Sequence, residues 1–243
     1  MNPHRKMSPW HYLAVPALSE VLTEGILFGV EEIPGPALRL CYAASTVLVG
    51  YLIYPAYHGR RNIPPDSLLF WSIVTAGSFL FLAITRSGIP ADPLPLLSLA
   101  LGTAVLTLFL SNTTLYLSLL LGDALRAQRT ISTAILLTAT APLWMAPLAE
   151  QLPAISSTIV NISPLTYLAV ISDYDFLRSA WFYRHTPLGG LRYTYLTPYL
   201  FTGIYLAMTL TLTLAHRTLL KLKHRHHASD HEEPMSFCEE NTQ

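Results

Sequence analysis

Charge is what this sequence has least of. Of its 243 residues only 12% are Asp, Glu, Lys or Arg, against about 25% in ordinary soluble domains. With 51% hydrophobic residues and a mean hydropathy of +0.39, that scarcity excludes an ordinary soluble domain, a disordered chain and a coiled coil. Lysine occurs only as Lys6, Lys221 and Lys223, and none stands in a G-x-x-x-x-G-K-[ST] loop, so the chain is not a P-loop ATPase. No H-E-x-x-H, paired C-x-x-C or G-x-S-x-G element occurs either. Cysteine is limited to Cys41 in an apolar stretch and Cys238 in a polar tail, which read as two free thiols. The net charge is +0, so no global basic surface exists to hold nucleic acid. The expectation is a chain without catalytic residues, cofactor or metal.

What is present is a series of long uncharged windows. A helix crossing the hydrocarbon needs about 20 mostly apolar residues. Such windows run Leu40–Tyr57, Ser67–Thr85, Pro93–Gly122, Thr130–Ala149 and Tyr193–Ala215. A further apolar stretch, His11–Val30, carries Glu20 and Glu24, which lie on one helical face. It is either a span with a buried polar stripe or an interfacial amphipathic helix, and it reads as an uncleaved anchor. Gln151–Ser172 is also uncharged, but Asn161-Ile162-Ser163-Pro164 in its middle is poor lipid-facing helix. Irregular backbone at membrane depth survives only where protein or water covers it, which favours a re-entrant or interfacial pair of short helices. The expected class is an all-α polytopic membrane helix bundle of about six transmembrane helices. The spans are about 11–30, 38–57, 67–86, 94–122, 130–149 and 196–219. An outer re-entrant segment covers 150–192, and a polar cytoplasmic tail follows the helical domain (1–222) at 223–243.

Orientation follows from the cations, which collect on cytoplasmic loops. The basic groups are His4-Arg5-Lys6, Arg60-Arg61, Arg126 with Arg129, and Arg217 through Arg225. Placing all of them inside closes the alternation with six spans and both termini cytoplasmic. Arg39 and Arg86 then fall at outer ends, against the rule. The outer segment carries Asp173, Asp175 and Arg178 among interleaved aromatics, which is either an aromatic belt or a gate. Asn112 and its hydroxyl-bearing neighbours within the third uncharged window either bond to adjacent helices or line a path. The histidines near the chain end fit a basic cluster meeting membrane lipid better than a metal site.

This plan resembles the type-2 ATP-binding-cassette (ABC) export permeases. The local match is Asn161-Ile162-Ser163-Pro164-Leu165-Thr166-Tyr167-Leu168, similar to an N-P-L-T-Y-like element that those permeases carry after their fifth span. Here Ile162 and Ser163 stand between Asn161 and Pro164. The resemblance covers about residues 10 to 220. It implies a permease subunit of the inner (plasma) membrane, working as a homodimer or with a paralogous permease, docked on a separate ABC ATPase subunit. The candidate ATPase-coupling residues are then Arg60, Arg61, Arg126 and Arg129. The candidate gate is Asn161, Pro164, Tyr167, Asp173, Asp175 and Arg178. Two other readings share the same spans: a non-catalytic scaffold or assembly subunit of a membrane complex, and an intramembrane enzyme acting through residues such as Glu20, Glu24, Asp173 or Asp175.

Overall fold

A computed structural model describes residues 9–27, 35–58, 65–87, 92–144, 151–175 and 195–230. Its elements are α1 (Pro9–Leu27), α2 (Gly35–His58), α3 (Pro65–Ser87), α4 (Leu94–Leu121), α5 (Ala124–Trp144), α6 (Pro153–Ile162), α7 (Pro164–Ile171) and α8 (Pro198–Asp230). Among the described residues there is no strand. The chain is an all-α, multi-pass membrane bundle.

Proline sets most of the helix starts. Seven of the eight helices carry Pro in their first two positions, where the missing N–H would have no intrahelical partner and the fixed φ suits the helix. The exception, α5, is started by Asp123, whose carboxylate accepts the backbone N–H of Leu125 at 2.8 Å. Gly122, left-handed at φ 68°, closes α4 just before it. Gly122 and Asp123 are thus the whole connection between the two helices.

The long helices fall on the stretches that the uncharged windows marked. Four of them, over Gly35–Ile53, Ser67–Ser87, Leu94–Leu121 and Pro198–Leu222, are long and apolar enough to cross a membrane. The pair α6–α7, bent by 74°, makes a fifth if it counts as one span. Helices α1 and α5 overlap the expected spans, α5 beginning six residues ahead of its own, at Ala124, and neither is among the four. Glu20 and Glu24 interrupt the first, and Arg129 with several threonines dilutes the second.

Helix α4 is the hub: it packs against α2, α3, α5, α7 and α8. It buries Leu99, Leu106 and Leu110 together with Gly102, Thr103, Thr107, Ser111, Asn112 and Thr114. The bundle is polar inside and apolar outside at many positions. Leu13, Ile73, Phe81, Leu101, Leu137 and Leu210 are exposed. Buried hydroxyls such as those of Thr23, Thr46 and Thr75 donate to the carbonyl one turn back in their own helix. That distribution suits lipid as solvent, where apolar surface needs no burial but every polar group needs a partner. Between α2 and α3 the backbones approach closely. The Trp71 indole N–H donates to the Gly50 carbonyl at 2.9 Å. Between α4 and α8, Phe109 meets Tyr205 and Asn112 meets Thr213, so the two helices ascend in the same direction.

Candidate functional site

The break between α6 and α7 is dictated locally. A residue preceding proline is pushed out of the helical region, and Ser163 accordingly sits at φ −63°, ψ 127°. Pro164 then starts the next helix. The break leaves the Ile162 carbonyl without a helical partner. The Tyr205 hydroxyl of α8 donates to it at 3.2 Å. Asn161 turns back on its own helix, its amide donating to the Ser157 carbonyl at 2.9 Å.

Around that break lies an aromatic cluster. Tyr167 is fully buried, with its ring centroid 4.6 Å from Tyr205 and 5.9 Å from Phe201. Its hydroxyl lies 3.3 Å from that of Thr202. Phe109 of α4 meets Tyr205 edge-on at 5.0 Å. Gly102 lets α7 reach α4: a Cβ there would stand 2.9 Å from Ile171 Cδ1 and 3.7 Å from the Tyr167 hydroxyl. Thr107 and Ser111, one turn apart on α4, and Thr166 on α7 are buried, and their hydroxyls find no partner among the described residues.

After α7 the chain turns at Asp173, whose φ of 54° is left-handed. The carboxylate of Asp175 accepts the Tyr195 hydroxyl at 2.8 Å. A half-open depression of about 290 Å³ is lined here by Ala169, Val170, Asp173, Tyr174, Asp175, Tyr195 and Pro198. Burial, with Cys41 close by, holds the Tyr174 hydroxyl above the usual tyrosine range.

The structure thus brings Asn161, Pro164, Tyr167, Asp173 and Asp175 onto one bent element and its exit turn. It places Arg126 and Arg129 elsewhere, exposed on the first two turns of α5. These turns adjoin Thr114 through Tyr51, whereas α7 adjoins Gly102. The two α4 positions are 12 residues apart, about 18 Å along the helix. Asn112 lies between them and accepts the Thr213 hydroxyl at 3.0 Å. Glu20 pairs with Arg86, and Glu24 accepts the Tyr42 hydroxyl at 3.4 Å, so both carboxylates are engaged by neighbouring helices. Arg60, Arg61 and Arg178 lie outside the described residues. Sequence reasoning missed Gly102, Phe201, Tyr205, Tyr51 and Gln128. The i, i+4, i+8 spacing of Phe201, Tyr205 and Thr209, all buried on an otherwise exposed helix, is the one signal that marks a contact face. Among the described residues no group of three or more His, Cys, Asp or Glu is placed to hold a metal ion. No protein-family model, curated protein or solved structure matches the chain.

Proposed function

We propose that this chain is the membrane-spanning permease subunit of an ABC-type export system, coupling ATP hydrolysis by a separate subunit to movement of a substrate across the inner membrane. The observation that carries the reading is the bent pair α6–α7, broken at Ser163–Pro164, with α7 seated on α4 and α8 and the pair preceding the last long helix in the chain. The Asn161–Leu168 element that resembles the permease motif spans that break.

Charge placement supports an orientation. The parallel register of α4 and α8 puts Arg217 and Lys221 at the bundle end where Arg126 and Arg129 stand. At about 1.5 Å per residue the 33 residues of α8 reach about 50 Å, against a hydrocarbon core of about 30 Å. The helix therefore has length to spare beyond the lipid, and its final turns carry Lys223 and Arg225. Cations gathered at one end favour that end as cytoplasmic, with both termini there. They also suit an acidic face on an ATPase subunit. A dimer of this chain, or a pair with a paralogous permease, completes the assembly.

The test is recovery of the tagged chain from its own membranes in mild detergent. A permease brings down a subunit with a G-x-x-x-x-G-K-[ST] loop and raises its ATP turnover on reconstitution. Arg126→Glu combined with Arg129→Glu is expected to abolish that rise while the chain still inserts. Recovery within a complex that holds no nucleotide-binding subunit favours the scaffold reading and ends this one.

A further inference from the structure

At the end of the bundle that carries Arg126 and Arg129, α2 and α5 hold each other by reciprocal side-chain-to-backbone bonds. Tyr51 of α2 is fully buried, and its hydroxyl donates to the Gln128 carbonyl of α5 at 3.3 Å. In return the Gln128 side-chain amide donates to the Leu52 carbonyl of α2 at 3.2 Å. The same Tyr51 hydroxyl stands 3.0 Å from the Thr114 hydroxyl of α4. One phenol therefore joins three helices within eight residues of the Gly122–Asp123 connection.

The first two turns of α5 have two faces. Ala127 is fully buried and Gln128 reaches to α2, while Arg126 and Arg129 are exposed. Asp123 stiffens the first from within, capping α5 and pairing with Arg126 at 3.3 Å. They are thus short and tightly bonded, charged on their outer face and locked to α2 on their inner one. The Tyr51 bond to α5 is partly buried and the Gln128 return bond is exposed, and the two act in opposite directions across one contact, so the elements they join move together.

We infer that Tyr51 and Gln128 are positioning residues that make the α4–α5 turn and the end of α2 one rigid body, so that a load applied at Arg126 and Arg129 reaches α2 as well as α4. The inference rests on the permease reading for the source of the load. The linkage itself is a property of the chain alone.

The experiment uses the full chain in proteoliposomes, with the nucleotide-binding subunit that co-purifies with it. Tyr51→Phe removes only the hydroxyl, and Gln128→Ala removes the return bond. Thr138→Val is the control, since that hydroxyl bonds only within α5. Amide exchange is expected to quicken together over 124–130 and 52–58 in both strut variants, by roughly fivefold for the loss of one such bond. Stimulation of ATP turnover is expected to fall by a similar factor, with the amount of bound ATPase unchanged. Thr138→Val leaves both readouts at wild-type values. Faster exchange confined to one of the two segments overturns the inference, as does stimulation that survives in both strut variants. If the wild-type chain binds no nucleotide-binding subunit, the permease reading fails, and the exchange result alone decides the strut.

Discussion

The Arg86 guanidinium at the end of α3 pairs with the Glu20 carboxylate of α1. This contact gives α1, whose buried side chains among the described residues are Val15, Ser19 and Thr23, a polar tie to the bundle. It also accounts for a cation that stands against the distribution of the others: Arg86 is neutralised by a helix 66 residues earlier in the chain. The side chains are 50% and 31% exposed, so solvent screening holds the pair to about 1 kcal/mol. Glu20→Gln and Arg86→Gln are each expected to lower the melting temperature in detergent by a few degrees. The swap Glu20→Arg with Arg86→Glu is expected to recover most of that loss. A double-mutant cycle with no coupling between the two positions contradicts the pairing.

Gly50 and Gly102 both sit where helices touch, yet they differ in what an added methyl would strike. At Gly50 a Cβ falls 2.7 Å from Thr75 Oγ1 and 3.0 Å from Thr75 Cγ2, atoms held against their own helix by a branched Cβ. At Gly102 the nearest atom is Ile171 Cδ1, the free end of a flexible side chain. Helix propensity favours alanine over glycine by about 1 kcal/mol at both positions. Gly50→Ala is therefore expected to destabilise by about 1–3 kcal/mol, as overpacking does, while Gly102→Ala stays near neutral. Denaturation in mild detergent ranks them. Equal losses at both sites remove the distinction between the two contacts.

The class of fold and the break before α8 were legible in the sequence because both depend on local chemistry. Uncharged windows of span length mark the helices, and a serine held before proline marks the bend at Ser163. The ties that organise the site depend on residues far apart in the chain. Tyr205 and the Ile162 carbonyl are separated by 43 positions, and Tyr51 and the Gln128 carbonyl by 77. Tyr51 does not differ in its local pattern from the many aromatics around it, and the spacing of Tyr205 with Phe201 and Thr209 marks a contact face without naming its partner. Gln128 is placed between Arg126 and Arg129, where the basic residues mask a contact with α2. Arg86 looked like an exception to the charge rule because its partner was not a neighbour in sequence.

The hydroxyl of Tyr205 closes the gap that proline opens at Ile162. Removing it leaves a carbonyl at a helix end facing apolar surroundings, which costs about 1–3 kcal/mol. Tyr205→Phe keeps the ring contacts with Tyr167 and Phe109 and loses only that bond. It is expected to destabilise by at least as much as Tyr167→Phe, whose lost partner is the Thr202 hydroxyl at 3.3 Å, a group that also bonds within its own helix. Thermal melts of the two variants check the order. A smaller effect for Tyr205→Phe means that the α6 carbonyl is satisfied in another way.

The two ends of α4 give the sharpest check on how the chain lies in the membrane. Arg129 lies on the turn that Tyr51 ties to Thr114, and Asp173 lies just past α7, which packs at Gly102. The 28 residues of α4 reach about 42 Å, against a hydrocarbon core about 30 Å thick, and the two probe sites stand toward its opposite ends. Replacing Cys41 and Cys238 with serine clears the background, since these are the only native thiols. Arg129→Cys is then expected to react with a membrane-impermeant maleimide only in inverted vesicles, together with a cysteine placed at Arg217. Asp173→Cys is expected to react only in right-side-out vesicles. Both residues are exposed, so a failure to label reflects the membrane and not the fold. Reaction of Arg129→Cys and Asp173→Cys from the same side would mean that α4 does not cross, and the charge-based orientation would fall with it.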